Sequence, residues 1–565
     1  MTRKQEDINA AARLIRTDIV SLGGRDLDIY FWQTGNNDFV KMSTLYNSQA
    51  DAENVFSYLG IQNASGILDV TPYTEEFLNI VFEFEQLGII RSSKTVSSPF
   101  TASNGLVDLT VGYSDIRNAG VAGTTIAPIE NSKLITKDDD TEAAIFLDVN
   151  YKNFDLALQG HVVRHELAHA MGLRHPKEVG LVRTIYDSWK YSALSYIEHP
   201  GMSSDTVPGS LMLLDYLALD IMGLLSKSYH SGINTYRIPS DGNAFLYTVY
   251  DGDGIDTITA SGSMQTGIID LRDGHFSSLG IGGTSGGTPV ENYAIAYNTI
   301  IENAISGDKD DVIIGNSTSN ELKGGKGDDF IYGNGENYKT DNWKFSDAHK
   351  NAYTATVDTE YTPGHTNDKD TIYGGEGNDY IAGESGDDTL YGDEDHDFIF
   401  GGMGDDKIEG GEGSDHLYGG DGTFAVVDGV DILNGGDGND ILEGGTGIDK
   451  YIFSGNFGRD MIKDNDGKIY FGADETTGVQ LTQLTQTTKD SIIYRDAANI
   501  YQAIKIIEGT KTSLIISSVA NPANSVTIKD WVNGNVNINL TPAAAPVINA
   551  TGNALMTGNA SDNVL

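Results

Sequence analysis

A chain of 565 residues in which 81 acidic residues outnumber 37 basic ones carries a formal charge of −44, and it contains no cysteine. That balance opposes binding to nucleic acid and insertion into an anionic membrane, invites cations, and excludes disulfides, thiolate metal sites and cysteine nucleophiles. Glycine, at 67 residues, stands far above its usual share of about 7%, so part of the fold must need backbone without side chains.

In chain order, residues 10–19 suit a short helix and Leu27-Asp28-Ile29-Tyr30-Phe31-Trp32 an early strand. Thr74-Glu75-Glu76 can cap and charge the start of a helix whose apolar residues Phe77, Ile80, Val81, Phe84 and Leu87 keep helical spacing until Gly88. Residues 106–111 and 143–149 read as strands, so a sheet precedes the most informative stretch of the chain. That stretch is His165-Glu166-Leu167-Ala168-His169-Ala170-Met171-Gly172-Leu173-Arg174-His175.

Helical residues four apart share a face, so His165 and His169 can offer two imidazole nitrogens to one metal. Gly172 permits a left-handed helix end, and the reversed chain can return His175 as a third ligand, leaving one coordination position for water. Glu166 is rotated roughly 100° from His165 around the helix, which places a carboxylate beside that water as a general base. Beyond it, Leu211, Leu214, Ala218, Ile221 and Met222 mark a further amphipathic helix ending at Gly223.

The string H-E-x-x-H-x-x-G-x-x-H is that of the metzincin metalloproteases, and Tyr191-Ser192-Ala193-Leu194-Ser195-Tyr196 resembles the Y-S-x-M-S-Y turn of the serralysins, secreted bacterial metzincins. Leu194 stands where that family has the methionine forming an apolar floor under the metal. A Leu-for-Met exchange roughly conserves volume and typically costs under about 1.5 kcal/mol, so the floor is expected to survive. The resemblance makes Tyr196 an additional zinc ligand that steadies a developing oxyanion. Residues 251–258, 269–278 and 292–297 also resemble the serralysin segment that leads into its repeats.

Those repeats follow with a period of nine. Residues 374–382, 383–391, 392–400, 401–409 and 410–418 are consecutive units of G-G-x-G-x-D-x-U-x, where U is large and aliphatic. Residues 306–332 keep the same register earlier and 435–452 resume it later. The pattern resembles the calcium-binding parallel β-roll of RTX proteins. Its glycines suit a tight turn with inward carbonyls, its Asp offers a hard oxygen, and x-U-x is a minimal strand. A disordered acidic tract is disfavoured because Ile381, Leu390, Ile399, Ile408 and Leu417 recur every nine residues. Candidate calcium ligands are Asp311, Asp329, Asp370, Asp379, Asp388, Asp397, Asp406, Asp415, Asp431, Asp440 and Asp449, with ions shared between stacked turns. The unit at Gly392 departs from the pattern, since Asp393 and Asp395 replace glycines.

Residues 336–365 and 423–427 interrupt the repeats, and Asp464-Asn465-Asp466-Gly467 starts like an EF-hand loop but lacks the later Glu. Residues 466–545 read as strand-rich, with no legible role. Residues 557–565 resemble the opening of a repeat run at Gly315, so either the protein continues beyond residue 565 or the end mimics a type I export signal; continuation is the expectation.

The expected fold is therefore an α+β metzincin catalytic domain over residues 1–235, an all-β parallel β-roll over 236–465, a strand-rich C-terminal extension over 466–545, and a tail. The resemblance implies a secreted, calcium-stabilised zinc endopeptidase using one catalytic Zn2+ and several structural Ca2+. Glu166 and Tyr196 would be catalytic, His165, His169, His175 and Tyr196 would bind zinc, and Gly172 and Leu194 would shape the site. Implied partners are protein or peptide substrates, Gram-negative-type type I secretion machinery and a proteinaceous inhibitor. The alternative is an RTX surface or adhesion protein whose metzincin-like domain is inactive or narrowly processing. An RTX lipase is the weaker, third alternative.

Overall fold

The computed structural model describes residues 3–15, 26–31, 67–68, 74–87, 92–96, 109–114, 123–126, 129–130, 133–134, 143–148, 156–181, 184–200, 202, 206–239, 244–280, 284–285, 288–334, 369–420, 429–464, 466–488, 491–543, 547–548 and 554–555. The expectations at residues 16–19 and 106–108, both interruptions of the repeats, and residues 556–565 lie outside the described residues. Two compact units emerge. The first comprises residues 1–234, 241–256 and 273–301, and the second residues 235–240, 257–272 and 302–565.

In the first unit, a mixed six-stranded sheet runs in the order Ser92–Val96, Asp26–Phe31, Leu109–Ser114, Ala143–Asp148, Gly123–Ile126, with Ile67–Leu68 also paired to Leu109–Ser114. Among the described residues four α-helices accompany it: α1 (Arg3–Leu14), α2 (Thr74–Gln86), α3 (Leu156–Ala170) and α4 (Leu213–Ile221). The first helix thus starts seven residues earlier than periodicity suggests, because its buried stripe is short: Ala10, Ala11 and Leu14. Those residues join Ile80, Val81 and Phe84 of α2, Val163 and Leu167 of α3, and Leu214 and Ala218 of α4 in one core. An ion pair ties α3 to α2, with Arg164 donating to Glu83 at 2.8 Å. The α1 end also braces the chain after Gly172, since the Arg174 N–H donates to Leu14 O at 2.8 Å.

In the second unit, successive short strands alternate between two parallel sheets. Thr371 pairs with Thr389 and Thr389 with Lys407 in one sheet, while Tyr380 pairs with Phe398 in the other. Partners are therefore eighteen residues apart, two nonapeptides per turn. Across the first interruption Glu321 pairs with Thr371, and across the second Lys407 pairs with Ile432, so each insertion leaves the register of the strands intact. The U positions point inward: Leu322, Ile372, Ile381, Leu390, Ile399, Leu417 and Leu433 are fully buried. The boundary expected at residue 466 falls within a continuous sheet. Arg459–Ile462 pairs in parallel with Ser525–Ile528, and antiparallel strands Lys511–Ser518 and Tyr501–Glu508 extend that sheet. Among the described residues no helix is long and apolar enough to cross a membrane.

Candidate metal centres

The last two turns of helix α3 carry His165 and His169, and Gly172 then takes φ 104, a left-handed geometry that turns the chain back. The three histidines meet as a result. Their Nε2 atoms form a triangle of 3.1 Å (His165–His175), 3.2 Å (His165–His169) and 2.9 Å (His169–His175). Among the described residues this is the group of His, Asp and Glu side chains close enough to hold one metal ion.

Each ring is anchored at its other nitrogen. Nδ1 of His165 lies 3.0 Å from Ala193 O, Nδ1 of His169 2.9 Å from Leu173 O, and Nδ1 of His175 2.8 Å from Glu178 Oε1. An acceptor at every Nδ1 fixes the ring proton there, so three Nε2 lone pairs face a common point. Nitrogens held tetrahedrally by zinc at about 2.0–2.1 Å are roughly 3.3 Å apart, so this donor set fits the ion. Burial holds the His165 ring far below its ordinary value, and the neighbouring His169 adds to this; burial also lowers His175. Neutral imidazole is the form that binds metal.

Tyr196 borders the triangle, and Glu166 follows His165 on α3. The Tyr196 hydroxyl lies 2.8 Å from His175 Nε2, and its phenol is pushed up to about 12 by burial and by the charges of Glu166 and Glu178. Glu166 is buried. Leu194 is fully buried in the core cluster that contains Leu167 and Met171 of the motif.

Two supporting residues carried no sequence signal strong enough to single them out. Asp215, on α4 and fully buried, accepts from Ser192 Oγ (2.7 Å), the Ala193 N–H (2.7 Å) and the Met212 N–H (3.0 Å), and burial raises it to about 6. It thereby fixes the turn whose Ala193 carbonyl holds His165. Glu178 sits three residues after His175, a spacing that could have suggested it. His161, one helical turn before His165, is buried with its rings 6.1 Å apart, and it stands outside the triangle.

The eleven candidate calcium aspartates fall into two columns. In one, the Asp329 N–H donates to Asp379 Oδ1, Asp379 to Asp397, Asp397 to Asp415 and Asp415 to Asp440, at 2.7–3.0 Å. In the other, Asp370 donates to Asp388, Asp388 to Asp406, Asp406 to Asp431 and Asp431 to Asp449, at 2.8–3.0 Å. Neighbours within a column are two nonapeptides apart, or more across an insertion, so Asp379 and Asp388, adjacent in sequence, stand in different columns. Asp311 heads the first column differently, because both its oxygens accept backbone N–H groups from Gly267 and Gly307. Two further residues join: Asn320 opens the second column by donating to Asp370, and Asp440 donates to Asp460, which follows Gly455 and Gly458 but stands out of the nine-residue register set by Asp440 and Asp449.

The outer oxygens are available to a cation. Oδ2 of Asp329, Asp379, Asp397, Asp406, Asp415 and Asp440 is buried without a hydrogen bond. A β-carbon added at Gly374 would lie 2.3 Å from Asp379 Oδ2 and 2.7 Å from Gly392 O, so carboxylate and carbonyl oxygens converge where only glycine fits. Hard oxygens in this arrangement suit calcium. Burial raises Asp415 to about 6, and burial aided by neighbouring carboxylates raises Asp379 to about 7, Asp397 to about 9 and Asp329 to about 10. The departing unit keeps its turn: Asp393 and Asp395 both adopt φ 78, the geometry glycine would otherwise supply.

The model of the RTX calcium-binding nonapeptide repeat matches four stretches, residues 305–338, 366–399, 400–423 and 427–451. The chain is 30% identical over 251 residues to a serralysin of Proteus mirabilis, covering 39% of this chain and 48% of that protein. It is 27% identical over 244 residues to a serralysin of Photorhabdus laumondii, covering 38% and 48%, and 32% identical over 187 residues to the metallopeptidase AprA of Pseudomonas marginalis, covering 28% and 38%. The chain spans about half the length of the serralysins it matches. It is thus a serralysin-like protein with RTX calcium-binding repeats.

Proposed function

We propose that the chain is a secreted zinc endopeptidase whose RTX roll is stabilised by calcium. The observation that carries this reading is the Nε2 triangle of His165, His169 and His175 with every Nδ1 tied to an acceptor. Those three residues would hold zinc, with Tyr196 as a fourth ligand that can swing away. Bound zinc supplies a Lewis acid for the scissile carbonyl and makes its water acidic enough to deprotonate near neutral pH. Glu166 would act as the general base, accepting a proton from the attacking water and returning it to the departing amine. The Tyr196 hydroxyl donates to the oxyanion that develops on the carbonyl oxygen.

Export follows from the second unit. At the low free calcium of a cytoplasm, the stacked carboxylates repel and the roll stays open for passage through a type I system. Outside the cell, calcium binding becomes folding free energy. Protein or peptide substrates and a proteinaceous inhibitor are the partners this reading implies. A second reading, a surface or adhesion protein with a narrow processing activity, draws on the sheet that runs past residue 466 with no part in catalysis.

Hydrolysis of casein or a labelled peptide tests the first reading. Glu166→Ala should lower kcat by about 10²–10⁴-fold, the usual worth of a general base, and a zinc chelator should stop the wild type. Cleavage that ignores both changes would sink the proposal.

A further inference from the structure

The short helix after the third histidine reaches two groups of the site at once. Pro176–Val179 is one 3-10 turn, entered from His175, with Pro176 buried at its start and Gly180 closing it at φ 78. Such a turn has three residues per revolution, so adjacent side chains diverge by about 120°. Glu178 therefore returns to His175 Nδ1 at 2.8 Å, while Lys177 extends elsewhere and sets its ammonium 4.0 Å from the centre of the Tyr196 ring. That ring carries the hydroxyl 2.8 Å from His175 Nε2.

Tyr196 is 50% exposed, so packing alone does little to hold its ring in one rotamer. A cation over the ring face meets the negative side of the aromatic quadrupole and supplies the missing restraint. We infer that Lys177 is a positioning residue, whose ammonium against the Tyr196 face keeps the phenol hydroxyl turned onto the histidine triangle. The inference rests on reading that triangle as a metal centre. It adds that the turn Pro176–Val179 orients two members of the site by opposite charges, a carboxylate for the His175 imidazole and an ammonium for the Tyr196 ring.

The test uses the full chain loaded with Cu2+ in place of zinc, because a tyrosine oxygen on copper gives a visible charge-transfer band that imidazoles alone do not. Wild type should show the band and Tyr196→Phe should lack it. In Lys177→Met the ratio of bound to unbound tyrosine should fall about two- to fivefold, the effect of an exposed cation–π contact. Lys177→Arg, which retains a cation able to lie over a ring, should keep the band. In the zinc form, kcat of Lys177→Met should fall by a similar factor with KM unchanged.

A full band in Lys177→Met overturns the inference and leaves the metal centre standing. An equal loss in Lys177→Arg overturns it too, since the lysine stem and not the charge would then matter. A raised KM with kcat and band unchanged would instead assign Lys177 to substrate. A wild type that binds no copper, or a Tyr196→Phe protein with the wild-type band, overturns the metal-centre reading itself.

Discussion

The histidine triangle and the aspartate columns solve the problem of facing acceptors in opposite ways. In the triangle each ring is neutral and independently anchored, by Ala193 O, Leu173 O and Glu178, so three lone pairs can face one another at modest cost. In the columns the Asp carboxyls are buried and stacked, and each Oδ1 accepts from the N–H of the preceding turn. On the proposed reading, the triangle would be a site that a metal enters, and the roll a structure that a metal completes.

Withdrawing each metal separately should expose that difference most strongly. A calcium-selective chelator at pH 8 should erase most of the strand signal of the second unit in circular dichroism, and added calcium should restore it. A zinc-selective chelator should stop hydrolysis while leaving the spectrum unchanged. If calcium withdrawal left the spectrum intact, the columns would be ordinary hydrogen-bonded turns and the contrast would collapse.

Acid should distinguish them next. Folded-state values of about 6 to 10 lie above the ordinary aspartate value, so the calcium-free roll is most stable where both folded and unfolded carboxyls are protonated, below about pH 4. That stability is lost as pH rises through the folded values. With calcium the sign reverses, because protons then compete with the ion. Urea titrations of the chelated protein at pH 5 and pH 9 should show the roll more resistant at pH 5; the opposite order would mean that burial does not govern these carboxyls.

The third effect falls on the support of the triangle. Asp215→Ala strips acceptors from Ser192 Oγ and the Ala193 and Met212 N–H groups, and a buried donor left unpaired costs about 1–3 kcal/mol. Because Ala193 O holds His165, zinc affinity should also drop about 10–100-fold, the usual penalty for an outer-shell partner. Unchanged zinc affinity in a destabilised variant would show that the turn and the metal ligands are uncoupled.

Periodicity explains how much of this was legible in the sequence. A nine-residue repeat of Asp and aliphatic residues predicts a roll because each residue meets a copy of itself, and a five-position motif predicts three convergent histidines because helix geometry sets their spacing. The column partners were not legible. Asp379 and Asp388 are nearest in sequence, yet alternation between sheets gives Asp379 to Asp397, a relation only the two-sheet turn creates. Asp460 is hidden because it stands out of the nine-residue register set by Asp440 and Asp449, and Asp215 because an acid in an apolar helix looks like a surface position until the turn of residues 191–196 covers it. The helix at Arg3–Leu14 was misplaced at its start because polar residues fill its first two turns.

The smallest expected effect concerns Leu194, the residue proposed as a floor for the metal centre. Leu194 is fully buried and belongs to the same core as Leu167, Met171 and Leu173, so its volume is set by neighbours on every side. Leu194→Met keeps that volume while exchanging a branched chain for a flexible thioether, and stability should change by under about 1.5 kcal/mol. The Nδ1 anchors of the three rings do not involve this side chain, so kcat/KM should stay within about threefold, a barrier change of roughly 0.65 kcal/mol. Parallel melting curves and peptide hydrolysis settle the matter. A tenfold gain in activity without a change in Tm would mean that the floor tunes the metal centre directly, and that the triangle depends on more than its three anchors.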